Sequence, residues 1–228
     1  MKISPKNTKN KEVLHIDQLN IKKVERFGLV GNNGAGKTTL FNLILDLVKP
    51  NTGQVLNNNV LVHKSEDWKK HTAAFIDEGF LVGYLTPVEY FYFVGELRGL
   101  NESQVDSWLE QFEVFFNGEV LGQKKHIRNL SKGNQKKVGL AAAFLGNPQC
   151  VILDEPFANL DPSSQIRFKE IVKKQIENRA TTFLISSHDL NHITEVCERI
   201  VLLEKGLLIK DLTTDSETFA QLESYFKA

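Results

Sequence analysis

The stretch GNNGAGKTT, residues 31–39, lies between an apolar run, FGLV, and an apolar segment of helical period, LFNLILDLV. Its glycines let the backbone turn sharply and aim N–H groups inward, Lys37 adds a point charge, and the following helix adds its positive dipole end. Thr38 stands where such loops carry a hydroxyl ligand for Mg²⁺. We therefore predict a phosphate-binding loop, or P loop, made of Gly31, Asn32, Asn33, Gly34, Ala35, Gly36, Lys37, Thr38 and Thr39.

Other short apolar runs resemble the strand before this loop. RFGLVG, TAAFIDEG, CVILDEP and TTFLISSH alternate with longer helical patterns, which predicts an α/β fold with a mostly parallel core sheet. VILDE and FLISS do not alternate in polarity, as expected for central strands covered on both faces. EVLHIDQLNIK (12–22) and RIVLLEKGLLIK (199–210) do alternate, and Lys205-Gly206 suits a hairpin turn. These two segments predict a small antiparallel β layer beside the main sheet.

Residues 85–146 carry no strand pattern. Asn101 with Gln104 resembles a capping box, and an apolar face of helical spacing follows it. This face could be a ligand box, but at such spacing core packing is the favoured interpretation. Its members are Val105, Trp108, Leu109, Phe112 and Phe116. We predict an α-helical subdomain at approximately 85–146, inserted in a single domain that covers residues 1–228.

The composition limits the classes of partner. With 28 basic and 28 acidic residues, the chain has no net field to attract nucleic acid or a membrane surface. Two cysteines, Cys150 and Cys197, are too few for a disulfide framework and indicate a reducing compartment. The amino-terminal residues lack the apolar core of a signal peptide, and VGLAAAFLG is far shorter than the ~18 residues that span a bilayer. We expect a cytoplasmic chain whose membrane role, if any, depends on another chain.

Two strand ends carry side chains suited to phosphate chemistry. Asp154 follows a buried apolar run, where P-loop proteins hold a carboxylate for Mg²⁺, and Glu155 is free to orient or deprotonate an attacking water. Taken alone, this pair could be a polar strand end. His188 closes another apolar run and can reach a phosphate at the same sheet edge. A surface or capping histidine is the alternative, and a metal pair with His192 lacks a third ligand.

At this point the chain resembles a known family. GNNGAGKTT, LSKGNQ, VILDEP, NLDP and ISSHDL occur in the order and approximate spacing of the nucleotide-binding domain of ATP-binding cassette proteins, over nearly the whole chain. The resemblance implies a P-loop NTPase fold that binds ATP and Mg²⁺ and hydrolyses ATP. LTPVEYFYFVGELRGL followed by LSKGNQKKVGLAAAFL resembles the branch whose ATPase subunits drive separate, exporter-type membrane subunits. It implies attachment to the inner face of the cell membrane through a transmembrane permease subunit.

The resemblance also implies a dimer, either a homodimer or a heterodimer with a second ATPase subunit. Two such domains pack head to tail, so that Ser131 and Gly133 address the γ-phosphate of the ATP on the partner's P loop. Asp161 is then the loop carboxylate at the dimer seam, and His188 contacts the γ-phosphate. Together with Lys37 and Glu155, His188 completes the expected catalytic set.

The chain departs from the family pattern at two places. Where the family usually has a glutamine in the lever loop, FIDEGF offers Asp77, whose carboxylate can accept from water or bind Mg²⁺ but cannot donate as an amide does. No Phe, Tyr or Trp precedes Phe27, although the family normally stacks an aromatic from this region on adenine. His15 could serve as a flat substitute, but an ordinary strand residue is the favoured interpretation.

Two rival functions remain to be separated from transport. A non-transport ATPase of the same superfamily would act on ribosomes or DNA, but the ribosome-acting type normally joins two cassettes in one chain and the DNA-acting type inserts a long coiled coil. The sequence shows neither pattern, and we expect no direct nucleic-acid binding. A regulatory module without turnover is disfavoured by the intact Lys37, Asp154, Glu155 and His188.

Overall fold

The computed structural model describes residues 13–227, apart from the side chains of residues 178 and 179. The strands are β1 Arg26–Val30, β2 Leu56–Asn57, β3 Val60–Leu61, β4 Thr72–Phe75, β5 Cys150–Leu153, β6 Thr182–Ser187, β7 Arg199–Glu204 and β8 Leu207–Thr213. The α-helices are α1 Lys37–Ile44, α2 Pro87–Leu97, α3 Glu102–Leu109, α4 Glu113–Phe116, α5 Lys132–Ala142, α6 Pro162–Arg179, α7 Leu190–Val196 and α8 Thr218–Lys227. Short 3₁₀ turns are Asp67–Lys70, Glu78–Phe80, Glu110–Phe112 and Ile127–Asn129.

The core is a six-stranded sheet in the order β4-β5-β6-β1-β7-β8. All neighbouring pairs run parallel except β7 and β8. Alternate residues of the central strands point to two separate apolar clusters, one on each face of the sheet. On one face Leu29, Ile152 and Leu184 pack with α1, and on the other Phe183 and Ile185 pack beneath the remaining helices. The predicted α/β fold with a mostly parallel sheet is confirmed.

The small antiparallel sheet is present, but its predicted location was wrong. It consists of β2 paired with β3. Residues 13–22 form no strand, and their β-type pairing with the hairpin is limited to one isolated parallel bridge between His15 and Leu207. The hairpin with Lys205 and Gly206 at its turn does form, but β7 pairs parallel to β1 and so belongs to the core sheet. The interior of β7 is buried, which a place beside β1 satisfies better than a separate layer would.

Between residues 85 and 146 the structure contains helices and no strand. Capping boxes begin α2 at Thr86 and α3 at Asn101, the second as predicted. The apolar face of helical spacing runs through α3, the turn Glu110–Phe112 and α4. Its side chains are buried, and the rings of Trp108 and Phe112 lie 4.4 Å apart. The aromatic face is therefore core, as predicted.

The cysteines are structural. Cys150 and Cys197 are free thiols, and burial raises the pKa of Cys150 to about 12 and that of Cys197 further. No helix within residues 13–227 is both long and apolar enough to cross a membrane. Residues 1–12, where the sequence indicated no signal peptide, lie outside the described part of the chain.

Candidate functional site

The P loop occupies the turn between β1 and α1. Gly34 and Gly36 have φ angles of 81° and 110°, in the left-handed region that glycine adopts without strain. A Cβ at Gly31 would lie 2.3 Å from the carbonyl oxygen of Leu203, so only glycine fits there. Lys37 opens α1 and is 7% exposed. Strand, loop and helix thus take the arrangement that a phosphate chain requires.

Lys37 is folded back over its own loop. Its Nζ donates to the carbonyl oxygen of Gly31 at 2.6 Å and lies 3.3 Å from Glu155 Oε1. The ammonium therefore has a carboxylate partner at the position where phosphate oxygens would otherwise be expected. A bound phosphate chain would have to replace the Glu155 carboxylate as the partner of the Lys37 ammonium.

Asp154 is held by two hydroxyl groups, one from the first turn of α1 and one from β6. Thr38 Oγ1 donates to Asp154 Oδ2 at 2.5 Å, and Ser186 Oγ donates to Oδ1. The Thr38 hydroxyl and the Asp154 carboxylate are the hard oxygen ligands that Mg²⁺ prefers. Residues 13–227 contain no cluster of three His, Cys, Asp or Glu suited to a metal, so phosphate and water oxygens would complete its coordination. These residues fit a nucleotide-bound Mg²⁺.

Glu155 stands at the centre of the site, in a left-handed backbone conformation with φ of 47°. Its Oε2 lies 2.9 Å from Nδ1 of His188 and accepts from the His188 backbone N–H at 3.3 Å. Its Oε1 is buried, faces Lys37 and makes no hydrogen bond. β5, β6 and β1 are neighbours in the sheet, so their carboxyl ends bring Lys37, Glu155 and His188 together as the sequence predicted.

Ser131 and Gly133, predicted to contact the nucleotide of a partner chain, lie at the start of α5. Ser131 caps α5 by accepting from the N–H of Asn134 at 3.2 Å, and a Cβ at Gly133 would lie 2.9 Å from the carbonyl oxygen of Asn159. Within the described chain, no hydrogen bond or ion pair joins Ser131, Gly133 or Asp161 to residues 31–39. The role predicted for these residues, toward a nucleotide on a partner chain, remains a prediction.

Asp161 caps α6. Its carboxylate accepts from Ser163 Oγ at 2.6 Å and from the Ser164 N–H at 3.0 Å. These hydrogen bonds, with one from the Ser164 hydroxyl, hold the pKa of the Asp161 carboxyl well below its usual range. Lys137 Nζ lies 3.8 Å from the same carboxylate. Asp161 is therefore a rigid anion on the surface near the start of α5.

The structure does not bring Asp77 to the magnesium ligands. Its side chain is exposed and Oδ1 accepts from the backbone N–H of Gly79 at 2.6 Å, capping the turn Glu78–Phe80. The next residue, Glu78, instead points inward, with Oε1 3.6 Å from Lys136 Nζ. The metal role of Asp77 remains a prediction that this geometry does not support.

The sequence reasoning missed three residues of the site: Ser186, Glu78 and Lys136. Ser186 could have been noticed as a polar residue at the end of an apolar strand, but Lys136 lies in the polar run NQKK and gives no signal of burial.

His192, considered as a metal partner of His188, packs its ring on Phe157 with centroids 4.6 Å apart. Burial lowers the pKa of His192. The His188 ring contacts Glu155, whereas the His192 ring contacts Phe157.

The fold and the site together define a P-loop nucleoside triphosphatase domain. A family model described as ABC transporter matches residues 14–158. The chain is 31% identical over 201 residues to an uncharacterized ABC transporter ATP-binding protein of Methanocaldococcus jannaschii, covering 86% of this chain and 70% of that protein. The chain therefore belongs to the ABC transporter family, as an ATP-binding cassette.

Two further comparisons agree. The chain is 32% identical over 202 residues to the uncharacterized ABC transporter ATP-binding protein YhaQ of Bacillus subtilis (strain 168), covering 82% of this chain and 62% of that protein. A solved structure described as the ATP binding subunit of an ABC transporter superposes with a TM-score of 0.83 at 26% identity, covering 100% of this chain and 93% of that one. The chain spans 57 to 65% of the length of YhaQ and two other curated relatives.

Proposed function

We propose that this chain is the ATP-binding and ATP-hydrolysing subunit of a membrane transporter, of the exporter type, which powers translocation through separate membrane subunits. The proposal rests chiefly on one observation: the Glu155 carboxylate is held between Lys37 and His188 at the end of the P-loop sheet. We also propose a single domain over residues 1–228, with a helical subdomain at approximately 85–146. Its place would be the cytoplasmic face of the membrane, reached through a permease subunit.

Hydrolysis can be derived from the groups present. The P-loop N–H groups and Lys37 bind the β- and γ-phosphates, and Lys37 exchanges Glu155 for phosphate oxygens. The released Glu155 carboxylate accepts a proton from a water whose oxygen attacks the γ-phosphorus, while the bond from that phosphorus to the ADP oxygen breaks. His188 hydrogen-bonds the γ-phosphate. Mg²⁺, held by Thr38 and Asp154, would supply charge neutralisation of the phosphates.

A docking surface for the permease lies beside the lever loop. A cleft of about 340 Å³ is bordered by the turn Glu78–Phe80 and by α2. Phe80 lines the cleft and is 59% exposed, and Leu97, at the end of α2, is 71% exposed, so both offer apolar surface to a partner. We propose that a short apolar segment of the permease occupies this cleft. Movement of that segment would then displace the lever loop and so affect the ATP site.

Two variants test the nucleotide chemistry. Lys37→Ala should abolish tight ATP binding, because the site loses the charge opposite the phosphates. Glu155→Gln should bind ATP while losing most hydrolysis, and should accumulate an ATP-bound dimer on size exclusion. Wild-type ATP affinity in the Lys37 variant would contradict the P-loop assignment, and normal turnover in the Glu155 variant would show that Glu155 is not the base.

The transport role needs its own test, because an ATPase acting on ribosomes or DNA could share this chemistry. We expect a neighbouring reading frame that encodes several apolar spans of ~20 residues. Reconstituted with that chain in lipid vesicles, the wild-type protein should show ATPase activity that differs from the activity of the free chain. Replacing Phe80 and Leu97 by serine should remove that difference and leave the activity of the free chain intact. Stimulation by ribosomes or DNA instead would favour the rival class.

A further inference from the structure

We infer that Lys136 is a positioning residue that links the lever loop to Glu155, an inference that rests on the proposed function. Lys136 lies on α5, and its side chain is only 6% exposed. Its Nζ donates to the main-chain carbonyl of Glu155 at 2.9 Å and lies 3.6 Å from Glu78 Oε1. One buried ammonium group thus contacts both the residue proposed as the base and the turn that borders the permease cleft.

The contact with Glu155 matters because that residue is strained. A non-glycine residue persists in the left-handed conformation only where its surroundings hold it. The Glu155 N–H donates to Ser186 Oγ at 2.9 Å, and its carbonyl accepts from Lys136. With both ends of the residue held, the carboxylate reaches Lys37 and His188. Without the ammonium, the backbone is expected to relax and the carboxylate to leave its place.

The Glu78 carboxylate supplies a negative charge that stabilises the buried ammonium of Lys136. Burial lowers the pKa of the Lys136 ammonium, and the Glu78 carboxylate acts in the opposite direction. Glu78 Oε1 is itself buried and makes no hydrogen bond. The one cation close to it among the described residues is Lys136. A partner that moves Phe80 also moves Glu78, two residues away in the same turn. A displaced Glu78 would weaken the hold on Glu155, which couples the cleft to hydrolysis.

The test is the rate of ATP hydrolysis by the full-length chain, with KM for ATP and a direct titration of ATP affinity. Lys136→Met keeps the length of the side chain and removes its charge. We expect kcat to fall at least tenfold, with KM and the ATP dissociation constant within about threefold of wild type. Lys136→Arg should restore kcat to within about threefold of wild type, because it replaces the donor and the charge.

A matched control separates positioning from general stability. Lys169 is also largely buried and ion-paired, with Glu195, but it makes no contact with Glu155. Lys169→Met should therefore keep kcat within about twofold. Glu78→Gln alone should lower kcat, and combined with Lys136→Met it should add no further loss, because the two residues act through one contact. This milder variant decides the matter if Lys136→Met does not fold.

Several results would overturn the inference. These are a Lys136→Met chain with wild-type kcat, an equal loss in Lys169→Met, or independent losses from Glu78→Gln and Lys136→Met. If Lys136→Met is unfolded, wild-type kcat in Glu78→Gln has the same meaning. A wild-type chain without ATP hydrolysis would overturn the proposed function, and the inference with it. Active wild type beside an equally active Lys136→Met overturns the inference alone.

Discussion

Val24 holds a left-handed backbone conformation, with φ of 61°, although its side chain is β-branched. Its N–H donates to Thr182 Oγ1 at 2.8 Å, which ties this turn to the start of β6. The left-handed conformation costs a non-glycine residue about 1–2 kcal/mol, and a β-branched side chain fits it especially poorly. The strain lies opposite the phosphate edge of the sheet and so affects stability rather than chemistry.

We predict that Val24→Gly raises the free energy of unfolding by about 1 kcal/mol, because the strain removed exceeds the extra freedom of glycine in the unfolded chain. Urea unfolding at equilibrium measures it. Val48→Gly is the matched control: Val48 is 41% exposed against 43% for Val24, and its φ is negative. The control should lose stability. A loss in both variants would show that the strain at Val24 is smaller than the cost of introducing glycine.

Recognition of the base is also a question of single residues. The segment before β1 packs on the P loop, since a Cβ at Gly36 would lie 3.2 Å from Leu14 Cδ1 and 3.3 Å from the Val13 carbonyl oxygen. His15 is the one residue with a ring side chain among residues 13–25; its Nε2 lies 3.5 Å from Asp17 Oδ1. No Phe, Tyr or Trp occurs among residues 1–26. Binding should therefore rest mainly on the phosphates and Mg²⁺.

We predict that ATP and GTP bind with dissociation constants within about tenfold of each other. Stacking on an aromatic ring is worth ~1–3 kcal/mol, and each ~1.4 kcal/mol is tenfold in affinity. Titration of the purified chain with both nucleotides measures the ratio, and His15→Ala is the accompanying variant. An ATP preference well beyond a hundredfold would contradict the prediction. Loss of such a preference in His15→Ala would identify His15 as the adenine contact.

Among the elements, α5 packs closely on the Phe75 ring at the end of β4. A Cβ at Gly139 would lie 2.1 Å from Cε2 of the Phe75 ring, so a larger residue at this point of α5 must push the helix or the ring aside. The position of α5 thus depends on this glycine. Lys136 lies one turn earlier on the same helix, so its reach toward Glu155 depends on the same packing.

We predict that Gly139→Ala lowers the free energy of unfolding by about 1–3 kcal/mol, the usual cost of overpacking. Phe75→Leu should relieve part of that loss in the double variant, although in the wild type it removes apolar contacts and destabilises. Chemical unfolding of the four proteins in this cycle gives the coupling. Strictly additive losses would mean that the helix and the ring do not compete for the same space.

The elements differ in how well the sequence predicted them. The central strands were predictable because burial on both faces leaves unbroken apolar runs such as VILDE. The small antiparallel sheet was placed wrongly because alternation reveals that one face is buried but not which strand is the partner. β7 pairs with β1, which is distant in the sequence. The strands β2 and β3 have two residues each and are too short to show any period.

The site residues were also predictable from local sequence patterns but not where they depend on contacts between distant elements. Lys37, Asp154, Glu155 and His188 were predicted because each lies at the end of a recognisable strand or at the start of a helix, and adjacent parallel strands deliver their ends to one edge. Lys136 was missed because its neighbours depend on how α5 packs across β4 and β5. A buried lysine and an exposed one look alike in a sequence.

On the scale of the whole molecule, no hydrogen bond or ion pair among the described residues joins the P loop to Ser131 and Gly133. A head-to-tail dimer would unite the P loop of one chain with Ser131 and Gly133 of the other. We predict that mixing a Lys37→Ala chain with a chain carrying Ser131→Arg gives more ATPase activity than either parent. One of the two sites in a mixed dimer combines an intact P loop with an intact Ser131, provided that a single site can turn over alone.

The mixing experiment needs proof that mixed dimers form, for example by differential tagging and capture. A sample of each parent carried through the same mixing procedure controls for recovery on handling. Absence of any gain in proven mixed dimers would count against sites shared between chains, whereas full activity of the Ser131 variant on its own would show that Ser131 is not part of the site.

The division of the apolar interior into two clusters also gives the molecule two optical reporters. The chain has 2 tryptophans, and each belongs to a different cluster: Trp68 to the cluster around α1, and Trp108 to the cluster beneath the helical segment. The Trp68 indole N–H donates to the Val62 carbonyl at 3.1 Å, whereas that of Trp108 is buried without a hydrogen bond. Their emission should differ accordingly. Trp68→Phe and Trp108→Phe therefore each leave one native fluorophore, so nucleotide-driven rearrangement of either half can be followed in real time without an attached dye.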